Sequence, residues 1–166
     1  MDIFTIGHSN VAAERIVELL QQHAIRVVVD VRSVPYSRRN PQFNRETFQR
    51  TLETAGIEYV YAGQYLGGRP DDPSCYQEGQ VQYKLIAGKA WYQAGIDRLL
   101  EIASHQPSVI MCAEEDPLRC HRHRLVTQTL LERGVIVWHI RGDNRLERAE
   151  PDSPQVEQLA LFEEVR

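Results

Sequence analysis

The stretch RVVVDV, residues 26–31, decides the fold. Four valines in six positions, three of them consecutive, suit a strand covered on both faces, and such strands belong to parallel sheets flanked by helices. On the N-terminal side, the apolar run Ile3 to Ile6 ends at Gly7 and reads as a first strand. A helix then follows, with Asn10 as its cap and Ala13, Ile16, Val17, Leu20 and Ala24 as its apolar stripe. On the C-terminal side, the prolines of SVPYSRRNPQF exclude regular structure, and a helix from about Asn44 to Ala55 buries Phe48 and Leu52. GIEYVYA, SVIMCA and VIVWHI supply three more strands, separated by helices near residues 91–104 and 120–133.

Strands alternating with helices predict a three-layer α/β fold: a mostly parallel, five-stranded, Rossmann-like sheet with helices on both faces. Residues 1–144 read as one domain, and 145–166 as a polar linker with a short helix packing on it through Val156, Leu159, Ala160 and Phe162. The segment from Gly63 to Lys84, rich in glycine and proline, is expected to be a mobile lid with little to pack against.

Composition narrows the function. The 166 residues suit one core, and 42% hydrophobic with 25% charged residues is an ordinary globular balance. No apolar run approaches a membrane span, and MDIFTIGHSN lacks the basic start of a signal peptide, so a cytoplasmic protein without a membrane role is expected. Three cysteines, an odd number, suggest free thiols in a reducing compartment. A net charge of −4 argues against a general coat for extended nucleic acid. The basic set is 17 Arg against 2 Lys, which suits bidentate anion clamps but equally follows from codon bias.

In sheets of this kind ligands sit beyond the carboxyl ends of the strands. Polar residues accumulate there: His8 and Ser9 after the first strand; Asp30, Arg32 and Ser33 around the end of the second; Glu114, Glu115 and Asp116 after the fourth; Arg141 and Asp143 after the fifth. CAEEDPLRCHRHRL, residues 112–125, is the densest cluster. Helical phasing from Leu125, Val126, Thr129 and Leu130 places His121 and Arg122 inward and His123 and Arg124 toward solvent. An inward cation in a first helical turn opposes the helix dipole, so Arg122 needs a partner, for which Asp30, Glu114 or a bound anion are the candidates. A structural Arg–acid network is the plain alternative.

Cys120 at that helix start reads either as a reactive thiol or as filler, whereas Cys75 and Cys112 read as filler. A phosphatase or rhodanese loop needs a Cys followed by an anion-cradling loop and helix. Cys112 to Arg119 has that order, but three acids in the loop disfavour an anion. The spacing C-x7-C-H is no zinc pattern, since adjacent Cys120 and His121 diverge by roughly 100° on a helix. No metal or other cofactor is expected.

TIGHSN, VDVRSVPYSRRNPQFN, YLGGRP and MCAEEDPLRCHRHRL, in this order, together resemble the family called domain of unknown function 488, over nearly the whole chain. The resemblance implies a small α/β domain of unestablished activity. Its motif residues fall here on His8, Ser9, Asp30, Arg32, Ser37, Arg38, Gly67, Gly68, Arg69, Cys112, Glu114, Pro117, Cys120, His121 and Arg122. Glu115 stands where many members have Lys.

Together these lines lead to an enzyme acting on a phosphate-bearing small molecule or a nucleotide unit. Ser9, Arg32, Ser37, Arg38, Gly67, Gly68, Arg69 and Arg122 would bind, and Asp30, Glu114, His121 or His8 would act as acid or base. The alternatives are a non-catalytic anion or nucleotide-binding module and thiol chemistry at Cys120. The sequence sets no oligomeric state.

Overall fold

The computed structural model describes residues 1–153. Five strands form the parallel part of one sheet: β1 (Asp2–Gly7), β2 (Val27–Asp30), β3 (Glu58–Tyr61), β6 (Ser108–Cys112) and β7 (Ile136–Ile140). A sixth, β8 (Leu146–Arg148), pairs antiparallel with β7, giving the order β3-β2-β6-β1-β7-β8. A separate two-stranded hairpin, β4 (Tyr76–Gln77) and β5 (Gln80–Val81), stands apart from this sheet. The helices are α1 (Ala13–Gln22), α2 (Arg45–Thr54), α3 (Gly63–Leu66), α4 (Tyr83–Ala87), α5 (Ala90–His105) and α6 (Gln128–Glu132).

The valines of RVVVDV divide between the two faces, as the strand's two-residue period requires. Val27, Val29 and Val31 join Ile3, Ile110 and Val137 under α5 and the segment 122–132. Val28 joins Ile6, Val109, Met111 and Ile140 under α1 and α2. The chain is thus an α/β protein with helices on both sides of a mixed, mostly parallel sheet.

Three expectations change, and a fourth falls on residues that are not described. The sheet has six strands because residues 146–148, expected in a linker, cover the β7 edge; a polar strand at an edge gives no apolar pattern to read. The expected C-terminal helix lies outside the described residues. Asn10 does not cap α1: the helix starts at Ala13 after Ala12, which makes no side-chain cap, and Ser9 takes a φ of 50° to turn the chain. The segment 63–84 is not a loop with little to pack against. It holds α3, a 3-10 turn at Pro73–Cys75, the hairpin and the start of α4, and it buries Leu66, Gly67, Gly68, Cys75 and partly Tyr76.

Candidate functional site

Register puts the predicted motifs side by side. Gly7 pairs with Cys112, and Asp30 with Met111, so the chain leaves β1, β2 and β6 along one carboxyl edge. Gly7 is required there: a Cβ would sit 1.6 Å from the Glu114 carbonyl oxygen. Its absence lets the loop after β6 close onto β1, where His8 and Ser9 donate backbone N–H groups to Cys112 and Ala113.

The residues expected to form one site separate into two clusters on opposite faces of the sheet. On the α1/α2 face, Asp30 is fully buried and takes a bidentate ion pair from Arg32, with Nε–Oδ1 at 2.9 Å and Nη2–Oδ2 at 2.8 Å. Tyr59 donates its hydroxyl to the same carboxylate at 2.5 Å, and burial, then the neighbouring acid, raises the phenol's pKa. Arg32 Nη2 also donates to the Phe43 carbonyl at 2.8 Å. His8 stacks on Phe43 and donates Nδ1–H to the Ser9 carbonyl, which leaves Nε2 to accept from Arg32 Nη1 at 3.3 Å. Burial holds the His8 pKa down at about 4, so it stays neutral.

On the other face lies the second cluster. The sulfur atoms of Cys112 and Cys120 are in bonding contact, with Cα atoms 7.4 Å apart. The expectation of three free thiols did not foresee this contact; Cys75 is free and buried. Arg122 is fully buried beside them. Its Nε donates to Cys112 Sγ at 3.1 Å, its Nη2 to the carbonyls of Glu114 and Glu115, both at 2.9 Å, and its Nη1 to the Thr5 hydroxyl. Neither Asp30 nor Glu114 pairs with it through a carboxylate, contrary to expectation. Burial lowers the Arg122 pKa to about 10. His121 donates Nε2–H to the Val31 carbonyl at 2.9 Å and turns Nδ1 toward Cys120 Sγ at 3.8 Å. Burial lowers its pKa to about 4.

His123 and Arg124 were both expected to face solvent, but His123 is buried. The reason is a π-helical turn over Arg122–Thr127, which widens the helix and swings both 122 and 123 beneath the segment. A 100° phasing does not foresee that wider turn.

The remaining predicted residues lie around these clusters. Gly68 packs against the His121 ring, where a Cβ would come within 2.9 Å, and Arg69 N donates to Ser33 Oγ at 2.9 Å. Ser37 closes its own turn by accepting from the Arg39 and Asn40 N–H groups. The side chains of Arg38, Arg69 and Glu114 are exposed at the rim. Glu115 pairs with Arg141 at 2.9 Å and accepts from Gly142 N, tying the loop to the end of β7; Arg141 lowers its pKa to about 2. Thr5, Phe43, Tyr59, His123, His139 and Asp152 escape sequence reading, although a Thr and a His inside otherwise apolar strands were a visible signal. Among the described residues no group of three or more His, Cys, Asp or Glu is placed to hold a metal ion, and no helix is long and apolar enough to cross a membrane.

A groove of about 450 Å³ runs between β3 and α5, lined by Val60, Tyr65, Gly95, Arg98 and Ile102. None of the clustered side chains described above lines it.

Comparison with known proteins follows this geometry. A solved structure described as "Putative phosphatase (DUF442)" from Shewanella putrefaciens CN-32 is similar at 14% identity and a TM-score of 0.44, over 93% of this chain and 75% of that one. No curated protein matches the chain. The family model described as "Domain of unknown function DUF488" matches residues 12–129, and the chain belongs to that family.

Proposed function

We propose that the protein is an enzyme of thiol–disulfide chemistry, working through Cys112 and Cys120 on an anionic substrate held at the rim. One observation carries this reading: the fully buried Arg122 has no carboxylate of the described residues bonded to it and aims Nε at Cys112 Sγ. A buried guanidinium needs a counter-charge, and the Cys112 sulfur is the only one of its bonded partners that ionises readily. Arginine held against sulfur favours the thiolate and makes it a better leaving group.

The sulfur roles follow. Cys120, at 6% exposure against 2% for Cys112, is the more accessible of the two. One thiol of a dithiol reductant loses its proton to solvent and attacks Cys120 Sγ. The sulfur–sulfur bond breaks, and its electron pair leaves on Cys112, facing Arg122. The second thiol passes its proton to His121 Nδ1 and attacks the mixed disulfide. Cys120 departs and takes that proton. The dithiol is oxidised to its disulfide and the cysteine pair is reduced.

The phosphate-binding reading loses two of its four arginines, because Arg32 and Arg122 spend their donors inside the protein. Arg38 and Arg69 remain exposed, with no side-chain partner among the described residues, and they fit a phosphate-bearing small molecule or nucleotide as the substrate's anionic part.

The test is incubation of the full chain in glutathione redox buffer, with mass spectrometry of the peptides. The expected result is a Cys112–Cys120 link that forms under oxidising conditions and is removed by dithiothreitol. Arg122→Met should make Cys112 a poorer leaving group and slow that reduction about tenfold or more. A pair that never links across the buffer range overturns the reading. Binding of a nucleoside monophosphate, weakened in Arg38→Ala/Arg69→Ala, checks the rim.

A further inference from the structure

Two buried imidazoles, His123 and His139, take no part in that reaction, yet they lie on one continuous run of hydrogen bonds that ends at Arg122. Asp152 Oδ1 meets His123 Nε2 at 2.9 Å. His123 Nδ1 meets His139 Nε2 at 3.0 Å, and His139 Nδ1 meets Thr5 Oγ1 at 2.6 Å. The Thr5 hydroxyl accepts from Arg122 Nη1, and Arg122 Nε donates to Cys112 Sγ. The sheet sets the middle of the chain: Thr5 of β1 is the register partner of His139 of β7. The π-helical turn sets the rest by rotating His123 inward beside Arg122.

With both rings neutral and Asp152 ionised, the proton positions along this run follow from its two ends. The Asp152 carboxylate only accepts, so His123 carries its proton on Nε2. His123 Nδ1 then accepts from His139 Nε2–H, and His139 Nδ1 accepts from the Thr5 hydroxyl. Thr5 oxygen accepts from Arg122. All four bonds point one way, from a cation with no directly paired acid among the described residues to a carboxylate that is 17% exposed. Gln128 holds the far end by accepting from Asp152 N at 2.9 Å. Burial, then Arg122, His123 and Arg141, lower the His139 pKa to about 3, which keeps that ring neutral as the chain requires.

We infer that Thr5, His139, His123 and Asp152 are positioning residues that hold Arg122 Nε against Cys112 and so set how readily Cys112 becomes a thiolate. This rests on the proposed thiol chemistry and adds a remote control to it. The guanidinium needs a fixed plane to reach the sulfur and two carbonyls together, and among the described residues Thr5 supplies the one side-chain oxygen that it hydrogen-bonds. The other charges facing Arg122 are Glu115, Arg141, Asp116 and Glu114, on the loop after β6 and the end of β7. Those facing the sulfurs are Arg122 and His121.

The experiment is the rate of iodoacetamide modification of Cys112 in the reduced full chain, followed by mass spectrometry from pH 5 to 10, with the melting temperature of every variant. The wild type should titrate below the ordinary cysteine value of about 8.5. Thr5→Val keeps the shape and removes the hydroxyl; it should raise the midpoint by about one pH unit, or roughly tenfold less thiolate below it. Thr5→Ser should restore the wild-type midpoint. Asp152→Ala, at the exposed end, should shift it in the same direction by less, and is read if Thr5→Val does not fold. A wild-type midpoint at or above the ordinary value overturns both this inference and the thiol reading. A depressed wild-type midpoint that neither Thr5→Val nor Asp152→Ala moves, even with a lowered melting temperature, overturns the positioning chain alone.

Discussion

Arg32→Met tests the division of the motif residues into two clusters. In the native protein Arg32 gives two hydrogen bonds to Asp30 at 2.9 and 2.8 Å and one to the Phe43 carbonyl at 2.8 Å, with Asp30 fully buried and Arg32 7% exposed. Methionine fills similar space but leaves the Asp30 carboxylate with the Tyr59 hydroxyl and the backbone N–H of residue 32. Breaking a buried pair by removing one partner costs about 3–5 kcal/mol. For a domain of this size each kcal/mol lowers the melting temperature by about 2–4 °C, so the expected fall is about 6–20 °C. Circular dichroism on heating and urea titration both read it. Adding Asp30→Asn should recover part of the loss, since the uncompensated charge is then gone, with a coupling of about 0.5–3 kcal/mol. The reasoning fails if Arg32→Met melts within about 2 °C of wild type, about 0.5–1 kcal/mol by that scaling. It also fails if the double variant is no more stable than the single one. An Arg32 that served chiefly as an anion clamp would lose ligand binding and keep its stability.

Stability should fall as the solution is acidified below about pH 6.5, with the histidine contribution flattening near pH 3–4. His8, His121 and His139 have pKa values depressed by burial to about 4, 4 and 3, so the unfolded chain binds protons in that window and the native state does not. Urea midpoints that stay level from pH 7 to 4.5 would contradict this. Gly7→Ala should yield little folded protein, because its Cβ would overlap the Glu114 carbonyl at 1.6 Å and neither backbone has room to move; a soluble variant with native circular dichroism contradicts it. Glu115→Gln should cost about 1 kcal/mol, as its half-exposed pair with Arg141 is screened by solvent, and should leave the alkylation rate of reduced Cys112 unchanged. A large change in that rate would place Glu115 at the reaction instead.

The sequence by itself determined the layers. RVVVDV and its companion runs have nowhere to go except between two layers of helices, and both core clusters draw on them. It also determined that the motif residues gather at one edge, because each follows the carboxyl end of a strand. Periodicity records burial, and burial is what forms the layers. Only the tertiary structure decided how those residues pair. Asp30 and Arg32 turn to one face and Cys112 and Arg122 to the other because side chains alternate along strands, so neighbours along the edge part company across it. The partner of Arg122 could not be read from residue types, since it is supplied by backbone carbonyls and a sulfur. The Cys112–Cys120 contact and the run from Thr5 to Asp152 depend on strand order and on a π-helical turn. They join positions 147 residues apart, a separation no local pattern spans.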